Sequence, residues 1–167
     1  MQAKPIRVLQ LLPRLERKLF ALLRSLDSQQ WSQQALPQWK VKDVVAHLVD
    51  GNLRRLSMGR DGFWGEQFEG SSQAELVAFL NGLNADWVKA CRRLSPTVLI
   101  ELLEFTSPKV AKHFASLDPE APAPFPVGWA GHSSSPNWFD IAREYTERWH
   151  HQQQIREAVG QPGIISR

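Results

Sequence analysis

Apolar residues recur at spacings of three and four along most of this chain, which is the pattern of helices that bury one face. Four segments show it clearly: residues 13–26, 40–58, 72–93 and 95–117. The stripe of the second segment consists of Val41, Val44, Val45, Leu48, Val49, Asn52 and Leu56. A fifth segment covers residues 136–160. The sequence therefore predicts an all-α fold of four or five helices, with a bend or break at Pro108.

The last of these segments has clear start and stop signals. Ser135 offers an N-cap hydroxyl, Pro136 suits the first helical position, and Gly160 stands where a left-handed residue ends a helix. One stripe is aromatic and aliphatic and consists of Trp138, Ile141, Ala142, Tyr145 and Trp149. A second stripe starts with charged residues and ends with apolar ones, namely Asp140, Glu144, Glu147, His151, Ile155 and Ala158. We therefore expect protein to cover both faces of this helix.

Turn residues separate the helical segments. Ser72 and Glu75 have the spacing of a capping box before the third segment, and Ser95 with Pro96 marks the start of the fourth. Residues 27–39 and 59–72 are predicted to be loops. Residues 118–136 form a long proline- and glycine-rich connection, and a connection of that kind in a compact domain is often functional. It carries His132, so we expect it to cross the mouth of a site.

Glu147 and His151 stand four residues apart, so their side chains lie one turn apart on one face of the last helix. A carboxylate and an imidazole so placed can bind one divalent cation. The alternative is a surface pair worth about 0.3 kcal/mol, and a third ligand would decide between the two. His47 is a candidate because Gly51 follows it by one turn. A helical glycine costs roughly 0.5–1 kcal/mol relative to alanine, and room for a metal, a ligand or a neighbouring backbone beside His47 is one reason for it.

Composition limits the class of protein. The 167 residues are predicted to form one domain, residues 1–167, and the single cysteine, Cys91, excludes an internal disulfide and fits a reducing cytoplasm. The apolar runs are shorter than the roughly 20 residues that span a bilayer. The net charge of +3 is scattered, and its densest basic group is Arg54, Arg55 and Arg60. We interpret that group as a solvated helix face, and we expect neither a nucleic-acid nor a membrane partner.

Two of the segments described above also resemble a known family. Residues 39–50, WKVKDVVAHLVD, resemble the W-S-V-x-D-V-x-x-H-L signature of the DinB/YfiT-like superfamily. Residues 147–156, ERWHHQQQIR, are similar to the E-x-W-x-H-x-x-D-I-R segment of its mycothiol-dependent maleylpyruvate isomerase branch. The resemblance implies a four-helix up-down-down-up bundle with an additional short or broken helix and a long loop before the last helix. It also implies a divalent metal, zinc or nickel, bound by His47, Glu147 and His151.

The chain departs from the family pattern in several places. Lys40 stands where the family often has a serine or threonine cap, and Gln154 stands where it usually has an aspartate. His150 adjoins His151 but points about 100° away from it on a helix, so His151 is the ligand that the spacing favours. Members of the branch carry a further C-terminal domain, so the chain is either a stand-alone member or the N-terminal part of a longer protein.

Two imidazoles and a carboxylate suit zinc or nickel, and three protein ligands leave an open position, as in catalytic sites. Bound metal can hold a thiol as its thiolate, so the first hypothesis is a transferase or isomerase that uses mycothiol or bacillithiol. In this hypothesis Arg143, Arg148 or Arg156 contacts an acidic substrate. The second hypothesis is a hydrolase whose metal activates water, with Glu144 or His132 as proton acceptor.

The third hypothesis is not an enzyme. It is a metal-stabilised helical module whose aromatic face, formed by Trp138, Tyr145 and Trp149, packs on another domain or on a second copy of the chain as a homodimer.

Overall fold

The computed structural model describes residues 5–124 and 133–164. In that part of the chain a short 3-10 turn, Leu9–Leu11, leads into α1 (Leu12–Ser25). The elements that follow are α2 (Ser28–Trp31), β1 (Gln34–Leu36), β2 (Trp39–Lys40), α3 (Val41–Arg54), α4 (Gln73–Cys91), α5 (Pro96–Ala115) and α6 (Asn137–Ala158). A π-helical turn, Arg55–Arg60, continues α3. The predicted all-α class is therefore confirmed.

Four helices form the bundle, and each of them packs closely against two of the others: α1 and α3 both contact α5 and α6. Two hydrophobic clusters give their directions. The first contains Leu23 from the end of α1, Val44 from the start of α3, Leu99 from the start of α5 and Ile155 from the end of α6. The second contains Leu12, Leu56, Val110 and Ile141 from the opposite ends. Helices α1 and α6 therefore run one way and α3 and α5 the other, which is the up-down-down-up order.

Helix α4 lies outside this bundle and packs along α3. Its start is the predicted capping box: the Glu75 backbone N–H donates to Ser72 Oγ at 3.2 Å, and the Ser72 N–H donates to Glu75 Oε2 at 3.0 Å. Ser95 caps α5 through a single hydrogen bond, which its Oγ accepts from the Val98 N–H. Side-chain caps thus fix both helix starts that the sequence predicted.

For α6 the predicted end is confirmed, but the predicted start is not. Gly160 has a φ of +68°, so the left-handed end of the helix is confirmed. The start is shifted by one residue, because Pro136 is the N-cap and Asn137 begins the helix. Ser135 does not cap; it is buried, and its carbonyl accepts a hydrogen bond from the Ala123 N–H at 2.8 Å. Ser135, which was expected to cap the helix, instead pairs through its backbone with Ala123.

Two local predictions are wrong and a third is refined. The loop predicted over residues 27–39 contains α2, which Asp27 and Gln30 cap reciprocally, and the two-stranded sheet of β1 and β2. The helix predicted to reach residue 58 does reach it, as α-helix to Arg54 and as a π-helical turn from Arg55 to Arg60. The predicted break at Pro108 is absent, because α5 runs through it as one helix, with Thr106 and Ser107 buried and hydrogen-bonded to Asn52 of α3.

The predicted stripe of α3 is buried at every position: Val41, Val44, Val45, Leu48, Val49, Asn52 and Leu56. Cys91 is buried with them as a free thiol. Within the described residues, no helix combines the length and apolarity that a membrane span requires.

Gly51 lies inside α3, and a Cβ built on it meets no atom within 4 Å outside the helix's own backbone. A close neighbouring backbone is therefore not the reason for this glycine. We expect Gly51→Ala to raise the free energy of unfolding by about 0.5–1 kcal/mol, because alanine loses less backbone entropy on folding. Urea unfolding measures the change.

Gly82→Ala in α4 is the matched control, since a Cβ there also meets nothing within 4 Å. A loss of stability in the Gly51 variant, with a gain in the Gly82 variant, would contradict the prediction.

Candidate metal centre

Helices α3 and α6 bring three potential ligands together. His47 Nε2 lies 3.5 Å from Glu147 Oε1, and His151 Nε2 lies 3.0 Å from the same oxygen. One ligand atom from each residue lies within 4.8 Å of the other two. The antiparallel packing of the helices explains the meeting, because the first half of α3 lies beside the second half of α6. The structure thus places together the three residues that the resemblance implied as ligands.

The three side chains differ in exposure. The imidazoles of His47 and His151 are 13% and 9% exposed, whereas the Glu147 side chain is 51% exposed. Hydrogen bonding to His151 and then to His47 lowers the pKa of the Glu147 carboxyl, so it is ionised. The site therefore has two covered nitrogen donors and an anionic oxygen donor at a surface that solvent reaches.

Neighbouring groups hold the two imidazoles differently. The His47 ring lies against Trp39, with ring centroids 5.0 Å apart, and among the described residues its Nδ1 has no hydrogen-bond partner. His151 Nδ1 lies 2.7 Å from Gln154 Oε1. Packing orients the first ring, and a polar contact orients the second.

This donor set fits a divalent metal. Zinc is bound by imidazole and carboxylate at about 2.0–2.2 Å, which places its ligand atoms roughly 3–4 Å apart. The separations of 3.0 and 3.5 Å between the imidazole nitrogens and Glu147 Oε1 match that range. Three protein ligands on a half-exposed edge also leave a position for a further group, as catalytic sites do.

A chain of buried ion pairs runs along the same helix. Arg55 donates to both carboxylate oxygens of Asp140, at 2.6 and 2.9 Å, and its Nε donates to Glu144 at 3.2 Å. Arg148 donates to the other oxygen of Glu144 at 3.0 Å and pairs with Glu16 of α1. We refer to these five residues as the ion network.

Three neutral residues extend the ion network. Asn52 of α3 accepts a hydrogen bond from Arg148, and its nitrogen donates to Thr106 Oγ1 at 2.8 Å and to Ser107 Oγ at 3.1 Å. The Ser107 hydroxyl donates to Glu16 at 3.0 Å. All four helices of the bundle are therefore connected through polar groups, which explains the asparagine in the apolar stripe of α3.

The structure gives Glu144 a place in this network. Burial opposes ionisation of its carboxyl, but Arg148 and Arg55 outweigh that cost and hold its pKa below the usual value. Both of its oxygens accept hydrogen bonds from arginine. A carboxylate held in this way is a weak base, so its placement does not support the predicted role as proton acceptor. His132, the other residue predicted for that role, lies outside the described residues.

The three arginines predicted to contact an acidic substrate also have partners within the protein. Arg148 is buried in the ion network. Arg156 donates to the carbonyls of Pro162 and Lys18, and burial lowers the pKa of its guanidinium. Arg143 donates to Asp140 at 2.7 Å, but its side chain stays 30% exposed. Of the three, Arg143 is partly exposed and lies one turn before Glu147 on α6.

The interpretation of Arg55 as part of a solvated basic face is wrong. Its side chain is 9% exposed, and its guanidinium also lies over the ring of Phe114, with the carbon 5.8 Å from the centroid. Its partners Asp140 and Glu144 belong to the second stripe of the last helix. The sequence did contain a signal for this. Acidic residues in a stripe that is expected to be covered need a buried cation opposite them.

The antiparallel bundle and the His–Glu–His cluster define a DinB/YfiT-like protein. The model of the mycothiol maleylpyruvate isomerase N-terminal domain matches residues 12–156, most of the chain and all three candidate ligands. The chain belongs to this family. Neither a curated protein nor a solved structure shows a significant match to it.

Removing one cation from the ion network tests its contribution. We expect Arg55→Met to lower the free energy of unfolding by about 3–5 kcal/mol, because Asp140 and Glu144 would keep buried charges with too few partners. Thermal or urea unfolding of the variant measures the loss.

Arg24→Met is the control, since Arg24 pairs with Glu104 on the surface, where the two side chains are 60% and 34% exposed. Removing such a pair costs under about 1 kcal/mol. Equal losses of unfolding free energy in the two variants would show that the buried Arg55 pairs stabilise the protein no more than a surface pair does.

Proposed function

We propose that this protein is a divalent-metal-dependent enzyme, a transferase or isomerase that uses a low-molecular-weight thiol such as mycothiol or bacillithiol. His47, Glu147 and His151 would bind the metal, zinc or nickel. One observation carries the proposal: side chains 100 residues apart in sequence, on two helices, bring their ligand atoms within 4.8 Å of one another. Membership of a mycothiol-related family supports the thiol as the second component.

The residues of the site suit this role. When bound, the metal would lower the pKa of a coordinated thiol and so supply the nucleophilic thiolate at neutral pH. Glu147 is ionised, as a ligand must be, because its hydrogen bonds to His151 and His47 lower its pKa. Its exposed edge gives a thiol access, while the covered imidazoles hold the opposite side of the site rigid.

The surroundings of Glu144 favour thiol chemistry over hydrolysis with Glu144 as the base. A hydrolase of the kind considered above needs a general base beside the activated water, within about 2.6–3.2 Å of it. Glu144 has both oxygens engaged by Arg55 and Arg148 in the ion network, so it is a poor candidate. We therefore retain the thiol-dependent reaction as the proposed function.

For an acidic substrate we choose Arg143 among the three predicted arginines. Its side chain is 30% exposed, and it precedes Glu147 by one helical turn, so it lies on the same side of α6. Arg148 and Arg156 are committed to internal partners.

Metal analysis tests the site itself. We expect the purified protein to bind about one zinc or nickel ion per chain, and His47→Ala to reduce the affinity at least about 100-fold, because two ligands then remain. Calorimetry with zinc and elemental analysis of the dialysed protein measure this.

His113→Ala on α5 is the control for replacing a histidine, and it should bind zinc as the unaltered protein does. Full retention of metal by the His47 variant would contradict the assignment of His47.

Cobalt substitution tests the thiol. We expect mycothiol, added to the cobalt-loaded protein, to produce a thiolate-to-cobalt charge-transfer band in the near ultraviolet. The band should be absent with the S-methylated thiol, which cannot form a thiolate. A cobalt-loaded protein that gives no band with mycothiol, and that hydrolyses an ester, would favour the hydrolase.

A further inference from the structure

One side chain joins the two adjacent histidines of α6. Gln154 Oε1 lies 2.7 Å from His151 Nδ1, and Gln154 Nε2 lies 2.8 Å from His150 Nε2. On a helix the two imidazoles diverge, and their centroids are 6.2 Å apart. Gln154 follows His150 by four residues and His151 by three, so its carboxamide reaches both rings from the next turn.

The carboxamide fixes the role of each ring nitrogen. An amide oxygen only accepts hydrogen bonds and an amide NH₂ only donates them. His151 Nδ1 must therefore carry the hydrogen that it donates to Gln154, and His150 Nε2 must be the acceptor. His150 thereby anchors the amide nitrogen, while the amide oxygen faces His151.

This arrangement bears directly on the candidate metal centre. With Nδ1–H engaged by Gln154, the nitrogen that His151 presents to Glu147 is Nε2, which lies 3.0 Å from the carboxylate oxygen. A metal that binds here would take the lone pair of Nε2 and displace the hydrogen through which this nitrogen contacts Glu147. A cation between them satisfies both, which is the geometry a metal ligand needs.

We propose that Gln154 is a positioning residue for the metal centre and that His150 orients it. Its oxygen holds the His151 ring so that Nε2 faces the cation, and its nitrogen is anchored by His150. The inference rests on the proposed function, because it assumes that a metal binds at His47, Glu147 and His151. An aspartate or glutamate at this position could accept from His151 but has no hydrogen to donate to an acceptor nitrogen of His150, so glutamine matches both rings when His150 Nε2 is the acceptor.

Zinc affinity of the full chain, measured by competition with a chelator, tests the proposal. We expect Gln154→Met, which keeps the length but removes both hydrogen bonds, to weaken zinc binding about 10–100-fold. Gln154→Glu keeps the acceptor and should bind zinc at least as tightly as the unaltered protein. His150→Ala should weaken binding about two- to tenfold, and should have no further effect when combined with Gln154→Met.

Gln153→Met is the matched control, since Gln153 is the preceding glutamine and bonds to the backbone of Ile164 instead. The ligand-field spectrum of the cobalt-loaded protein is the second readout. It should change in Gln154→Met and stay unchanged in Gln153→Met, which a mere loss of stability would not produce.

The outcomes separate this inference from the proposed function. Absence of zinc binding by the unaltered protein overturns the metal centre and this inference with it. Zinc binding that is equal in the unaltered protein and in Gln154→Met overturns the role of Gln154 alone. Equally weak binding by Gln154→Glu and Gln154→Met also overturns it, because the acceptor would then make no difference.

Discussion

Electrostatic pairing in the bundle interior is the constraint on which the remaining structure depends. The ion network alternates anions and cations from Asp140 through Arg55, Glu144 and Arg148 to Glu16, and Arg143 adds a second cation at its outer end. Buried charges are tolerated only when they are paired, so the network permits few relative positions of its helices. Apolar packing alone is less selective, since cores accept many hydrophobic arrangements of similar volume. Locking α6 to the end of α3 sets which turn of α6 lies beside His47.

Much of the fold could be predicted because it follows from local rules. The period of apolar residues along α3 gives its buried face, and Ser72 with Glu75 gives the start of α4, since both effects operate within one or two turns. The residues of the candidate site could also be predicted, because the Glu147–His151 spacing is local and the family resemblance supplied His47. What the resemblance could not supply is the environment of the ligands, such as the ring of Trp39 or the carboxamide of Gln154.

The features that sequence reasoning missed depend on contacts between distant segments. Arg55 stands in a basic group that is typical of a solvated surface, and its partners lie 85 and 89 residues away. Pro108 has a strong local tendency to break a helix, but the anchoring of Thr106 and Ser107 to Asn52 outweighs it. The buried partners of Glu144 and Arg148 were missed for the same reason: charged residues on one helix do not reveal which charges face them.

The separation of the ligands along the chain also governs when the site can exist. His47 is made early in synthesis, and Glu147 follows it 100 residues later. At about 5–20 residues per second, the ribosome needs roughly 5–20 s to cover that interval. Helix α6 leaves the ribosome only after that delay and must then dock against α3. The three candidate ligands therefore cannot meet until α6 has been made and has docked, which is a late event in the maturation of the polypeptide.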